Sequence, residues 1–275
     1  MSNVDTGVVR GFGDEWTRFD QAGLPLEEQR RVFDMYFAVF PWEKLPPGAV
    51  GFDLGCGSGR WAQLAAPRVG TLHCIDASDA ALAVARKKLD ALPNVEFHHA
   101  SVDAIPLPDA SMDFGYSLGV LHHVPDTAAG IAACARKLKP GAPFCLYLYY
   151  RFDNRPFWFR RLWDVADVGR AVICRLPYPA RSAVSQAIAL SVYLPLARAA
   201  RSLDRAGIDA HDFPLWAYRN SSFYVMRTDA LDRFGTRLSQ RFTRDEIRRM
   251  MTAAGLERVT FSEGLPYWCA VGYRR

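Results

Sequence analysis

Lysine is missing after residue 139 of this 275-residue chain. All five lysines precede residue 140, so every later basic side chain is an arginine. Residues 151–210 hold ten arginines and five aspartates, and the resulting excess of +5 equals the net charge of the whole protein. Such a concentration of arginine can contact phosphates, carboxylates or anionic lipid headgroups, or it can form an ordinary solvated helix face. Because no dense basic stripe accompanies it, a stable nucleic-acid partner is not expected.

The chain also lacks closely spaced cysteines. Its six cysteines are scattered without a C-x-x-C pair, and several lie in apolar runs. This distribution favours reduced, buried thiols in a cytoplasmic protein over a disulfide framework or a zinc site, so no metal is expected. The N-terminus shows no basic-then-apolar signal pattern. The uncharged run between Arg181 and Arg198 has sixteen residues and includes Pro195, so it is not predicted to span a membrane.

Short apolar runs alternate with helical stretches from residue 49 onwards. This alternation is typical of βαβ units and of a parallel sheet. Strands are predicted at 49–55, 71–77, 95–100, 112–121 and 143–150, and two more, at 256–263 and 266–274, are predicted to form a hairpin. We therefore expect an α/β protein with a Rossmann-like, seven-stranded and mostly parallel sheet that ends in an antiparallel C-terminal hairpin.

Residues 152–238 interrupt this pattern with long helical periodicity, and strand-like character returns only at 222–226. We interpret this stretch as a helical lid inserted between the fifth strand and the last core helix. The core is then 49–151 and 239–275, and residues 1–48 form a helical segment that covers substrate and cofactor. The first inserted helix is predicted to be amphipathic. Its apolar face carries Phe159, Leu162, Trp163, Ala166, Val172, Ile173 and Leu176, and its polar face carries Arg160, Asp164, Asp167 and Arg170.

The loop DLGCGSGR, residues 53–60, joins the first strand to the first helix. Glycines at such a place let the backbone turn sharply and let a ligand approach where a Cβ atom would clash. A dinucleotide site would need the spacing G-x-G-x-x-G, whereas Gly55, Gly57 and Gly59 give G-x-G-x-G, which argues against a nicotinamide oxidoreductase. The spacing suits a cofactor without a pyrophosphate, whose adenosine and methionine parts pack on the loop around Cys56. Asp53 can then anchor the methionine ammonium group.

Two further aspartates follow the second and third strands. Asp76 ends the second strand, nineteen residues beyond Gly57, where a carboxylate accepts both ribose hydroxyls, although it can also cap the next helix. Asp103 can accept the adenine amino group while Val102 presents its backbone N–H to the ring, or it can be a simple loop carboxylate.

Candidate catalytic and substrate-binding groups follow the fourth and fifth strands. His122 and His123, with the second preferred, can take a proton from a substrate hydroxyl because an imidazole titrates near working pH, or they can hold the loop in place. Tyr150, Arg151 and Asn154 lie at the carboxyl edge of the sheet, where open α/β proteins bind ligands. Tyr224 lies in a stretch that either closes over the site or forms a structural turn.

The segments DLGCGSGRW, CIDAS, ASVDAIPLPDASMDFGYSLGVLHHV and LKPGAPF resemble class I S-adenosylmethionine-dependent methyltransferases, in particular the ubiquinone and menaquinone methyltransferase branch. The resemblance covers about 49–150 and the C-terminal helix and hairpin, and it does not cover 1–40 or 152–238. It implies that S-adenosylmethionine is the cofactor and S-adenosylhomocysteine the product. By the same resemblance Ala77, Leu118 and Gly119 line the cofactor, and Trp61 or an N-terminal aromatic residue shields it.

The expected activity is methyl transfer to an oxygen, nitrogen or carbon nucleophile of a small or amphiphilic metabolite. The alternatives are a catalytically silent regulatory protein that binds S-adenosylmethionine and, less favoured, a tRNA methyltransferase. If Phe157, Trp158, Trp163 and Leu190 are exposed, the insertion can make peripheral membrane contact and the substrate is lipid-like. If they are packed, a soluble substrate is favoured.

Overall fold

The computed structural model describes residues 3–19, 23 and 25–275. Six residues of the predicted N-terminal segment, at positions 1, 2, 20–22 and 24, lie outside the described residues. The chain divides into two compact units. The core unit contains the described residues up to Phe19 together with Gln29–Arg151 and Gln240–Arg275, and the insertion unit contains Phe152–Ser239 with the short described segment that ends at Glu28.

The core unit is built on a seven-stranded sheet in the order β3-β2-β1-β4-β5-β7-β6. The strands are β1 (Val50–Leu54), β2 (Thr71–Asp76), β3 (Val95–His99), β4 (Phe114–Leu118), β5 (Pro143–Tyr147), β6 (Leu256–Phe261) and β7 (Ala270–Arg274). The first five are parallel, and β7 runs antiparallel to both β5 and β6. This confirms the expected Rossmann-like, mostly parallel sheet. The order reverses between β1 and β4, and open α/β sheets bind ligands at such a switch point.

The helices surround this sheet or form the insertion. The core helices are α1 (Thr6–Arg18), α2 (Leu26–Tyr36), α3 (Ala62–Ala65), α4 (Asp79–Lys88), α5 (Thr127–Lys137) and, after the insertion, α10 (Arg244–Ala253). The insertion helices are α6 (Phe157–Ile173), α7 (Tyr178–Ile188), α8 (Leu194–Arg205) and α9 (Phe223–Gly235). The sequence TRDE, residues 243–246, predicts a capping box at the start of α10, and the structure has it. The side chain of Thr243 accepts the backbone N–H of Glu246, and the side chain of Glu246 accepts the backbone N–H of Thr243.

Apolar side chains fill both faces of the central strands, as expected for a parallel sheet covered on two sides. Phe52 and Phe144 are fully buried on one face, beside Ile131 of α5 and Ile247 of α10. A second buried group on the other face includes Phe33, Leu72, Leu82, Phe114 and Tyr116. The strand ends are therefore held rigidly where they meet the loops described below.

The insertion unit has its own apolar core. Its buried side chains come from two helical stretches. Every fourth residue from 189 to 197 is buried, and this stripe packs against α9; the residues are Ala189, Tyr193 and Ala197 on one side and Met226, Ala230 and Phe234 on the other. The strand-like character at 222–226 was misleading, because Ser222 caps α9 by accepting the N–H of Val225 and starts a helix there.

A single helical stretch runs through Tyr178–Arg205, with α7 and α8 joined by one π-helical segment, Ala189–Tyr193. It is 28 residues long, and by length and composition alone it could cross a membrane. The expectation that Pro195 interrupts it was wrong, because this proline lies in the first turn of α8, just after the π segment. We interpret the stretch as the central helix of the insertion, because its buried stripe packs on α9.

Candidate cofactor-binding site

The glycine loop leaves β1 and crosses the end of β2. The backbone N–H groups of Gly55 and Cys56 donate to the carbonyl of Ile75 at 2.7 and 3.1 Å, which fixes the loop to the neighbouring strand. Gly55, Gly57 and Gly59 all have positive φ, at 78°, 54° and 75°. A Cβ atom at Gly55 would lie 2.3 Å from the side chain of Val120, so glycine is required there on two grounds.

Asp76 lies beside this loop at the end of β2. Its Oδ2 accepts the N–H of Gly57 at 2.9 Å and its Oδ1 accepts the N–H of Ser78 at 2.8 Å. The alternative role of helix cap is filled by Ser78, whose hydroxyl accepts the N–H of Ala81 at the start of α4. Each carboxylate oxygen of Asp76 retains acceptor capacity for a ligand hydroxyl. Burial raises the pKa of Asp76, and the bonds from Ser78 and Gly57 oppose that rise.

Asp53 is the most deeply buried carboxylate of the site, with a residue exposure of 2%. Burial raises its pKa to about 8; the Tyr116 hydroxyl opposes the rise and the nearby Asp76 adds to it. Within the described residues its Oδ2 has no hydrogen-bond partner. An unpartnered buried carboxylate oxygen is costly unless a cation or donor completes it. Asp53 therefore fits the role of an anchor for an ammonium group.

The loop cysteine is not suited to act as a nucleophile. The neighbouring Cys74 and burial raise the pKa of the Cys56 thiol well above its ordinary value. A thiolate is the reactive form of cysteine, and it is disfavoured here. Cys56 therefore lines the loop as a small apolar side chain.

Asp103 follows β3 and is engaged by the N-terminal segment of the chain. Its Oδ2 accepts the backbone N–H of Asn3 at 3.0 Å, and its Oδ1 accepts the hydroxyl of Ser101. The Asn3 side chain is itself fixed to the backbone of Asp126 by two hydrogen bonds, of 2.7 and 2.8 Å. Sequence reasoning did not reveal this contact, because nothing in the residues before α1 marks it. The adenine-binding role of Asp103 and of the buried Val102 stays a prediction.

Helix α1 supplies an N-terminal aromatic residue beside the glycine loop. The indole Nε1 of Trp16 lies 3.0 Å from where a Cβ atom on Gly57 would be, and Phe12 packs on the ring of His123 at a centroid distance of 5.0 Å. Trp61, the other predicted shield, is buried beside α2, with its ring 5.1 Å from that of Tyr36. Of the two predicted candidates, the N-terminal aromatic residue is therefore the one that lies against Gly57.

The segment after β4 holds the predicted cofactor and catalytic residues in one turn. Leu118 is buried, and Gly119 has a φ of 78° with no atom within 4 Å of where its Cβ atom would be, so this glycine borders open space. His122 is fully buried, and both of its ring nitrogens lack a hydrogen-bond partner among the described residues. Its ring stacks on Tyr149 at 3.8 Å. Burial lowers the pKa of His122 well below its ordinary value, and repulsion from the charges of His123 and Arg241 lowers it further. The imidazole is therefore neutral.

The predicted substrate residues fall into both units. In the core unit, the ring of Tyr150 lies 5.4 Å from that of Tyr267. Arg151 pairs with Glu246 at 3.3 Å and donates to the carbonyl of Arg241. Asn154 and Tyr224 belong to the insertion unit. Ala77, at the end of β2, uses its carbonyl as the partner of His99 Nε2 at 3.0 Å.

Known proteins share this arrangement of loop and strands. A family profile described as a methyltransferase domain matches residues 52–146, from β1 to β5. A ubiquinone biosynthesis O-methyltransferase of Thiobacillus denitrificans is 30% identical over 178 residues, which cover 64% of this chain and 74% of that protein. The chain belongs to the class I S-adenosylmethionine-dependent methyltransferases. This confirms the family that the glycine loop, Asp76 and the LHHV segment indicate.

Other known proteins are similar to this chain over different lengths. A ubiquinone biosynthesis O-methyltransferase of Hahella chejuensis is 31% identical over 157 residues, which cover 56% of this chain and 64% of that protein. A solved putative methyltransferase, in complex with the Haloferax volcanii Trm112 methyltransferase activator, shares the fold with a TM-score of 0.51. It is 15% identical to this chain, and the match covers 95% of this chain and 96% of that one. The chain spans less than two thirds of the length of the Hahella protein.

Proposed function

We propose that this protein transfers the methyl group of S-adenosylmethionine to an oxygen atom of a small, amphiphilic acceptor. The observation that carries the proposal is the pair of carboxylates beside the glycine loop, the buried Asp53 and the half-buried Asp76. The choice of oxygen is supported by relatives that are named as O-methyltransferases.

The residues present fit this cofactor. Asp53 offers an unpartnered buried oxygen to the ammonium group, Asp76 offers spare lone pairs to the ribose hydroxyls, and Gly57 has no Cβ atom to crowd the space beside Trp16. When bound, S-adenosylmethionine supplies an electrophilic methyl group on a positively charged sulfur. What the protein must add is alignment of the acceptor and exclusion of water.

His122 and His123 are the groups of this turn that can accept a proton from an acceptor hydroxyl. Burial lowers the pKa of His122 well below its ordinary value, so this imidazole stays neutral and accepts a proton only weakly. Their rings are in contact, with centroids 4.0 Å apart, so protonation of one disfavours protonation of the other. We assign the proton-accepting role to His123, which also packs on Phe12 of the N-terminal helix.

Calorimetry and product analysis test this function together. We expect S-adenosylhomocysteine to bind and NAD not to bind. Asp76→Ala removes the acceptor for the ribose hydroxyls, so affinity should fall by about 10- to 100-fold. Asp79→Ala, in the exposed first turn of α4, is the matched control and should bind normally.

A second assay follows methyl transfer from labelled S-adenosylmethionine into a cell extract. Label should enter a small organic-soluble product, and Asp76→Ala should abolish it. Tight binding of S-adenosylhomocysteine without any labelled product would instead support a silent regulatory protein. Binding of NAD in its place would overturn the proposal.

We also propose that the protein is cytoplasmic and that its insertion docks peripherally on an anionic membrane surface. The support is the outer face of α6, defined as Phe157, Trp158, Leu162, Val165, Val168 and Val172. These six apolar side chains are all exposed, Trp158 by 50% and Val165 by 71%. At 100° per residue they lie within about 140° of the helix circumference. An exposed apolar face of this kind marks an interaction site.

The inner face of the same helix is packed within the insertion unit. The ring of Trp163 lies 4.5 Å from that of Phe152, and the guanidinium of Arg233 lies 3.1 Å above it. Of the four residues whose exposure was expected to indicate a lipid-like substrate, Phe157, Trp158 and Leu190 are exposed and Trp163 is not. The predicted single apolar face was therefore wrong for Leu162 and Val172, which lie on the outer face because α6 is apolar on two sides.

The exposed arginines on and near this face support an anionic membrane as its partner. Arg161 lies within the apolar arc and is 67% exposed, and Arg160 and Arg175 are exposed as well. Arginine next to tryptophan and aliphatic residues is the composition of helices that lie in the headgroup region of anionic bilayers. The exposed tryptophan suits the same depth, because indole rings favour the membrane–water boundary.

Vesicle co-sedimentation tests this surface. We expect binding to phosphatidylglycerol vesicles, weaker binding to phosphatidylcholine vesicles, and several-fold loss of binding in Leu162→Gln and Val165→Gln. Both substitutions replace exposed side chains, so the fold should be kept. Ile208→Gln changes an exposed apolar residue outside α6 and should bind like the wild type. Absence of vesicle binding, with a dimer that Val165→Gln dissociates, would show that a second copy covers this face instead.

A further inference from the structure

Three side chains that the methyltransferase site does not use converge at the edge of the sheet. β3 is the edge strand, and it pairs only with β2 within the sheet. In this pairing His73 stands beside Glu96, and His98 follows two residues later on the same face of β3. The next residue, His99, points to the opposite face because side chains alternate along a strand.

The distances within this group suit a metal ion. His73 Nδ1 lies 3.0 Å from His98 Nε2 and 3.2 Å from Glu96 Oε2, and all three candidate donor atoms lie within 4.8 Å of one another. In a tetrahedral site with bonds of about 2.0–2.2 Å, neighbouring ligand atoms are about 3.3–3.6 Å apart. For the two pairs that include His73 Nδ1, a widening of a few tenths of an ångström gives this spacing.

The environment of the group also suits a metal ion. The His73 side chain is only 12% exposed, whereas that of Glu96 is 58% exposed, so the site has an inner ligand and an open outer side. Two imidazoles and a carboxylate form a donor set typical of zinc and of other divalent transition metals.

We infer that His73, Glu96 and His98 form a binding site for a divalent transition-metal ion, with water completing the coordination. The ion would cross-link β3 to β2 at the edge of the sheet. His73 lies three residues before Asp76 on β2, about 10 Å along the strand, so the ion is structural with respect to the proposed methyl transfer. Cysteine spacing alone predicted no metal, and it could not reveal ligands that come from two strands.

Zinc binding by the full-length protein tests the site. After treatment with a chelator and dialysis against zinc chloride, we expect one equivalent of zinc by elemental analysis. Substituting cobalt should give the visible absorption of a four-coordinate site. His98→Ala and Glu96→Gln should weaken binding by at least about tenfold. His99→Ala is the matched control and should bind as the wild type does.

Folding is checked by thermal melting. Zinc should raise the melting temperature of the wild type and of His99→Ala, and it should not raise that of His98→Ala. Glu96→Gln alters a mostly exposed side chain, so it keeps the test valid if His98→Ala is poorly folded. No bound zinc in the wild type, or wild-type affinity in both His98→Ala and Glu96→Gln, would overturn the inference. Neither outcome bears on methyl transfer, since the assay uses no methyl donor.

Discussion

The sheet of the core unit and helix α6 of the insertion unit treat their apolar residues in opposite ways. In the core unit, Phe52, Phe114 and Phe144 are fully buried in the sheet, and the glycine loop is fixed by backbone hydrogen bonds. In the insertion unit, α6 has no buried residue at all, although much of its circumference is apolar. The sheet is thus filled by internal packing, whereas α6 leaves six apolar side chains exposed. A methyl donor site needs rigidity, whereas contact with an amphiphilic acceptor needs accessible apolar surface.

The largest expected difference between the two units is in stability. Phe114→Ala would leave a cavity in the centre of the sheet and should destabilise the core unit by about 3–5 kcal/mol. Val165→Ala truncates an exposed side chain and should change stability by no more than about 0.5 kcal/mol. Urea unfolding followed by circular dichroism measures both. Similar losses for the two variants would mean that the outer face of α6 is packed, and the contrast would fail.

The next effect is the pH dependence of cofactor binding in the core. Asp53 has a pKa of about 8 and must lose its proton to attract an ammonium group. Affinity for S-adenosylhomocysteine should therefore rise from pH 6 to pH 8, by up to about tenfold per pH unit, and level off above pH 8. Calorimetry across this range measures it.

Asp53→Asn provides the control for that profile. Its binding should be weak and nearly independent of pH over the same range. The raised pKa also means that the folded protein holds a proton that the unfolded chain loses, so wild-type stability should fall as the pH rises from about 4 to about 8. The same variant should melt higher than the wild type at pH 7. A flat profile for the wild type would show that Asp53 does not face the cofactor.

The smallest effect concerns charge on the insertion. Arg161→Gln removes one exposed cation and its 3.7 Å contact with Asp164, so stability should change by less than about 0.5 kcal/mol. Binding to phosphatidylglycerol vesicles should weaken by about fivefold, since one arginine near an anionic surface contributes about 1 kcal/mol. Raising the salt concentration should reduce this difference. If Arg161→Gln bound vesicles as tightly as the wild type, docking would depend on the apolar side chains and not on this arginine.

Local patterns in the sequence predicted the core well. The positions of the strands, the glycine loop and the capping box at Thr243 each depend on residues close together in the chain, so periodicity and spacing reveal them. Contacts from distant segments were missed. Trp16 beside Gly57 and Asn3 on Asp103 join residues about 40 and 100 positions apart, and no local pattern encodes such a pairing.

The sequence by itself determined the chemistry that surrounds the glycine loop, because Asp53, the three glycines and Asp76 are placed by one strand–loop–helix unit and the strand beside it. Only the tertiary structure decided which side of α6 is exposed. A helix that is apolar over most of its circumference can bury either side, and the packing of Trp163 on Phe152 selects one. It was also the pairing of β2 with β3, and no pattern in either strand, that brought His73, Glu96 and His98 together.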